Sequence, residues 1–184
     1  MSIVRILPLA LLLVFTQAVR ADNEATPTVP LFKIAVVGVG DDYITGGRNY
    51  QFNNNNGTLT ATASPNLIDL RYESLDGNEW WSFDFEPKTG ATLKSGKLYA
   101  NAIRYPFNDD GNDNVKVNGI SVDSTGRGCN EIKGQFKVRK IKFDKNTGKL
   151  TGLDLSFIQH CEGGPASAQG RIVLRDTSPV IHLN

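Results

Sequence analysis

Gly126-Arg127-Gly128-Cys129-Asn130 opens, and Gln159-His160-Cys161-Glu162-Gly163-Gly164 closes, the stretch whose reading decides the fold. Two alternating segments lie between them, on either side of Lys145-Asn146-Thr147-Gly148. That tetrapeptide reads as a turn, because Asn and Gly accept positive φ at low cost. In the returning segment Leu153, Leu155, Phe157, Gln159 and Cys161 share one face, and Asp154, Ser156, Ile158 and His160 share the other. In the outgoing segment Phe136 and Val138 sit at even positions, whereas Ile141 and Phe143 sit at odd ones. One extra residue at Arg139-Lys140, a β-bulge, restores the common face. The register so predicted pairs Ile141 with Leu153, Val138 with Leu155, Phe136 with Phe157 and Ile132 with Cys161. Cys129 then falls just past the open end of the hairpin, where a small curl at Asn130-Glu131 brings it within disulfide reach of Cys161.

The rest of the chain has the same texture: short alternating segments separated by turn residues. Candidate strands cover 31–39, 48–52, 58–64, 67–75, 79–86, 97–107, 115–122 and 166–175, besides the two of the hairpin. In 67–75, Ile68, Leu70 and Tyr72 point inward and Asp69, Arg71 and Glu73 outward. In 79–86, Trp81, Phe83 and Phe85 share one face, and Trp80, Ser82, Asp84 and Glu86 the other. Asn53-Asn54-Asn55-Asn56-Gly57 and Asp76-Gly77-Asn78 are strong turns. No segment combines helical periodicity, a capping box and adequate length. The expectation is an all-β domain over 31–184: a two-sheet antiparallel β-sandwich of about ten strands with one disulfide.

The first residues carry a processing pattern. Arg5 is a short positive region, residues 6–15 are apolar and uncharged, and Val19-Arg20-Ala21 suits a cut after Ala21. An apolar run of about ten residues is too short to cross a bilayer core of roughly 30 Å as a helix. Residues 1–21 therefore read as a signal peptide and 22–30, with Pro27 and Pro30, as a flexible leader. The full chain has 20 Lys+Arg against 19 Asp+Glu. Losing Arg5 and Arg20 with the signal leaves a formal charge of −1, which is no footprint for nucleic acid or an anionic membrane. Nothing later in the chain resembles a hydrophobic span. The expected location is secreted or periplasmic. Two cysteines in an exported chain are most simply one bridge, Cys129 to Cys161.

Asp42-Tyr43-Ile44-Thr45-Gly46-Gly47, Trp80-Trp81-Ser82-Phe83-Asp84-Phe85, Gly126-Arg127-Gly128-Cys129-Asn130 and Gln159-His160-Cys161-Glu162-Gly163 occur in this order. Together they resemble a family of secreted bacterial β-domains that carries no assigned activity. The resemblance spans about residues 43–175 and implies an exported β-domain with a disulfide; it implies no chemistry.

Two regions are candidates for binding. Arg127, Asn130, His160 and Glu162 gather near the disulfide, either as a polar cluster for a carboxylate or sugar hydroxyl, or as groups that pair together and cap the hairpin end. Trp80 stands on an outer face beside Ser82, Asp84 and Glu86, the arrangement by which a sheet stacks a sugar ring while acids accept its hydroxyl protons. Asp109, Asp110 and Asp113 are oxygen-rich enough to suggest calcium, but the EF-hand spacing fails at Val115 and Ser121, so an Asx-rich turn is the competing reading. No cofactor is expected: Gly38-Val39-Gly40 lacks the helix that a dinucleotide fingerprint needs, and no Walker loop, zinc-protease helix or serine elbow is present. The function expected is an exported non-catalytic binding or structural domain for an extracellular glycan or a protein. The alternatives are a small secreted hydrolase using Glu162 and His160 or the acids near Trp80, and a periplasmic inhibitor or immunity-type protein.

Overall fold

The computed structural model describes residues 31–109 and 116–175. The expected signal peptide and leader, His182, Asp110 and Asp113 lie outside these. Among the described residues every regular element is a strand: β1 (Leu31–Val39), β2 (Asn49–Asn53), β3 (Gly57–Ser64), β4 (Leu67–Ser74), β5 (Trp80–Glu86), β6 (Lys97–Arg104), β7 (Gly119–Ser124), β8 (Ile132–Phe143), β9 (Leu150–Cys161) and β10 (Ser167–Arg175).

The β8–β9 hairpin has the predicted register. Ile132 pairs with Cys161, Phe136 with Phe157, Val138 with Leu155 and Ile141 with Leu153, and the register shifts between Val138 and Lys140. Asp144 organises the turn, its Oδ1 accepting from the amides of Asn146 (3.0 Å) and Thr147 (2.7 Å). Cys129 and Cys161 are bridged, with Cα atoms 5.4 Å apart.

The pairing of the strands departs from the expected sandwich. Instead of two separate antiparallel sheets, all ten strands form one sheet in the order β2-β1-β10-β9-β8-β6-β7-β5-β4-β3. It is mixed, since β6 and β7 run parallel at Ile103–Gly119 and Arg104–Ile120. The candidate strand at 97–107 ends at Arg104, and the one placed at 115–122 runs from Gly119 to Ser124.

The two ends of this sheet are consecutive in the chain. β2 and β3 stand at opposite edges yet are joined by three asparagines, so the sheet must curl until its edges meet at that corner. The turn does more than reverse the chain. Asn54 Oδ1 accepts from Phe32 N (3.0 Å), Asn56 Nδ2 donates to Gln51 O (2.8 Å), and Tyr72 Oη donates to Asn56 O (2.9 Å). β1, β2 and β4 are thereby tied to one corner, and the result is a nearly closed barrel. Gly57 is required there, because the Tyr72 ring and Glu73 O occupy the space of a Cβ.

The inner face of the curl is a single apolar core. Phe52 meets Tyr72 at 4.2 Å and Trp81 at 5.5 Å, while Phe85 meets Phe136 at 5.2 Å and Phe157 at 5.8 Å. β4 and β5 thus pack across the interior against β2, β8 and β9, burying their alternating apolar positions. Gln159 is a polar side chain on this face. It is fully buried, its Oε1 accepting from Val122 N and its Nε2 donating to Val122 O, each at 2.8 Å. β6 pairs with β7 at two positions only, and the Gln159 carboxamide serves Val122 where that ladder stops.

Candidate functional site

Antiparallel pairing sets the outward residues of β3, β4, β5 and β7 in rungs. One reads Thr62–Asp69–Asp84–Ser121, the next Thr60–Arg71–Ser82–Asp123, and the third Thr58–Glu73–Trp80. Trp80 is therefore outward, as its position in the alternation required, and 44% exposed. Its backbone is fixed by Thr125, whose Oγ1 accepts from Trp80 N (2.8 Å) and donates to Trp80 O (3.2 Å). Trp81, one residue on, is buried in the core.

The polar groups beside Trp80 are already held. Asp84 is outward but buried, and Arg71 binds it with both terminal nitrogens, Nη1 to Oδ2 at 3.1 Å and Nη2 to Oδ1 at 3.2 Å. Burial pushes the Asp84 carboxyl up to about 6, and the Arg71 pair opposes this incompletely. Asp123 Oδ2 accepts from Ser121 Oγ at 2.9 Å and lies 3.5 Å from Ser82 Oγ. Tyr105 sits close by: burial first, then the charges of Glu86 and Asp84, raise its phenol above the ordinary value. The face is a prearranged platform of one exposed indole, an arginine and hydroxyl–carboxylate pairs.

The group expected around the disulfide does not assemble as one site. Asn130 and Glu162 do meet: Glu162 Oε1 accepts from Asn130 N (2.6 Å) and Glu131 N (3.3 Å), and Glu162 N donates to Glu131 O. Glu162 adopts φ 51° to do so. Its carboxylate is a cap on the hairpin end. His160 lies on the outer face of β9, paired across with Lys133, and its Nδ1 is 3.0 Å from Ala166 O. A proton on Nδ1 makes that contact a hydrogen bond. His160 and Lys133 line an open groove of about 530 Å³ with Asn101, Gln135 and Ile158. Arg127 is elsewhere again, at the end of the barrel, against Gly46.

Asp109 accepts a hydrogen bond from Thr89 Oγ1. Among the described residues no three His, Cys, Asp or Glu side chains gather as a metal site. The Asp42-to-Gly47 stretch plugs the barrel end. Asp42 Oδ2 accepts from Thr45 N (2.8 Å) and Oγ1 (2.7 Å), Ile44 is fully buried, and Ser124 Oγ donates to Ile44 O (2.8 Å). The sequence reading gives Arg71 and Tyr50 no role in a site, and it names Glu79 only with Asp84 and Glu86 as a hydrolase carboxylate. Arg71 was accessible to it, because counting outward from the Asp76-Gly77-Asn78 turn places Arg71 beside Ser82 and one rung from Asp84.

Comparison with protein-family models, with curated proteins and with solved structures finds no match for this chain.

Proposed function

We propose that the protein is an exported, non-catalytic binding domain that takes a saccharide on its Trp80 face. The observation that carries this reading is the half-exposed Trp80 indole, anchored through its backbone at one end of rungs whose hydroxyls, carboxylates and guanidinium are held in place. An aromatic face stacks on the C–H surface of a sugar ring, and fixed polar neighbours take its hydroxyls without a large ordering cost. The processing pattern at the start of the chain and the Cys129–Cys161 bridge support an extracellular or periplasmic setting. A hydrolase is less well supported. Glycoside cleavage needs two available carboxyl groups across the substrate, whereas Asp84 is committed to Arg71 and Glu162 to two backbone amides.

The test is binding to a panel of polysaccharides and arrayed glycans by the mature protein and by Trp80→Ala, with folding checked by near-ultraviolet circular dichroism. The expected result is binding to at least one glycan class, weakened about tenfold or more by Trp80→Ala in a folded protein and partly retained by Trp80→Phe. Absence of binding across the panel, or binding indifferent to Trp80, overturns the reading.

A further inference from the structure

At the barrel end, beside residues that hold the Asp42-to-Gly47 stretch, lies a small, open polar pocket of about 210 Å³, lined among others by Tyr50, Asn78, Glu79, Ser124, Thr125 and Arg127. Its volume falls below the roughly 300–1,000 Å³ of sites for drug-sized ligands. Its chemistry is divided. Arg127, a partly buried residue, supplies a guanidinium that makes no ion pair and no side-chain hydrogen bond with another described residue. Glu79 supplies a carboxylate with one oxygen engaged, Oε1 accepting from Trp81 Nε1 at 3.1 Å. The two opposite charges line one small cavity without joining each other.

The hydroxyls sharpen the division. Tyr50 Oη donates its proton to Thr45 O (3.0 Å), and Ser124 Oγ donates its proton to Ile44 O (2.8 Å). Both oxygens therefore have only lone pairs left to offer. Thr125 Oγ1 is used in both senses by the Trp80 backbone. Asn78 Nδ2 donates to Asp76 Oδ2 (2.9 Å), which leaves its carboxamide one further N–H and a carbonyl oxygen. Beside that amide stand three acceptors (Glu79, Tyr50 and Ser124) and one charged donor fork, Arg127. A primary ammonium has three N–H donors and suits the acceptors; a carboxylate suits the guanidinium in bidentate fashion.

We propose that this pocket binds a small zwitterion of the free α-amino acid class, its carboxylate on Arg127 and its ammonium on Glu79, Tyr50 and Ser124. The pocket adjoins Trp80 through Glu79 and Thr125, but the proposal does not depend on saccharide binding there.

The test is isothermal titration of the mature protein with glycine, L-alanine and L-serine, and with acetate and methylammonium as the two half-ligands, at constant ionic strength. At least one amino acid is expected to bind at a single site, about tenfold or more tighter than either half-ligand. Arg127→Gln and Glu79→Gln are each expected to weaken that binding about tenfold or more, and Arg127→Lys to retain part of it. Glu79→Gln keeps a carbonyl oxygen for Trp81 Nε1, so it reports on the missing charge even where an Arg127 variant is poorly folded. The proposal is overturned by silence from all three amino acids, by acetate or methylammonium binding as tightly as the amino acids, or by binding unchanged in Glu79→Gln.

Discussion

Gln159 and Asp84 are both buried polar side chains, and each shows how one residue's environment sets the energetics of its neighbourhood. Gln159 hydrogen-bonds both backbone groups of Val122, in a place shut away from water. Gln159→Leu keeps the size but orphans both groups, at about 1–3 kcal/mol each. A loss of roughly 2–6 kcal/mol in urea unfolding is expected; a change within error would show that water reaches Val122. Asp84 acts through charge. Its folded-state value of about 6 lies above the ordinary 3.8, so the folded protein holds this proton more tightly than the unfolded chain does. Its contribution is therefore most favourable below about pH 4, declines as pH rises through the window between those values, and is fully unfavourable above about pH 6. Asp144 and Asp154, whose carboxyls lie below the ordinary value through hydrogen bonds to Thr147 and Arg171 respectively, have the opposite trend. The measurement is thus the difference in stability between wild type and Asp84→Asn at each pH. Wild type is expected to lose ground to the variant from pH 4 to 6, and a flat difference would refute the assignment. The outward placement of Trp80 and Asp84 was legible in the alternation of a single strand, whereas Asp84's burial was not, because it depends on groups from outside that strand such as Arg71 of β4.

At the scale of elements, what was legible was what is local. The β8–β9 register could be written down because the turn, the parity change at Arg139-Lys140 and the two cysteines lie within one stretch. β6 gave no such signal: its register against β8 breaks between Tyr99 and Ala102, around Asn101 at φ 54°, and neither neighbour of Asn101 marks a bulge. Gly170 in β10 shows a constraint between elements. The Phe157 ring of β9 lies where a Gly170 Cβ would sit, and Ala35 O of β1 is 2.7 Å from that position. The ring is itself packed against Phe83 and Phe85, whose ring centroids lie 6.1 and 5.8 Å from its own. Gly170→Ala is accordingly expected to destabilise by about 1–3 kcal/mol, as overpacking does. Phe157→Leu combined with Gly170→Ala should cost less than the two single changes added together. Strict additivity in that double-mutant cycle would show that the ring and the glycine are not coupled.

For the whole molecule, the sequence supported ten strands and one bridge but not the way the strands join. A strand's alternation says which residues turn inward; it does not say which neighbour it pairs with when that neighbour is far along the chain. β10 enters between β1 and β9, and β7 between β5 and β6. The first joins the two ends of the chain and the second inserts a strand between two consecutive ones; together they give one curled sheet, closed at the asparagine corner, in place of the two expected. The disulfide is the covalent counterpart of that closure. It joins residues 32 apart, and the hairpin between them is held independently by its own ladder and core face. Its contribution should therefore come chiefly from restricting the unfolded chain, on the order of 3–4 kcal/mol for a loop of this length. This origin has a signature beyond lowered stability. A chain freed of the crosslink unfolds to a more expanded ensemble, exposes more surface and has a steeper denaturant dependence. The Cys129→Ala/Cys161→Ala protein should retain the far- and near-ultraviolet spectra of the oxidised form, unfold at a lower urea midpoint, and show a larger m-value. A lower midpoint with unchanged m and altered native spectra would instead place the effect in the folded state, in the packing of Cys129 beneath Gln159, whose Nε2 lies 3.6 Å from the Cys129 sulfur.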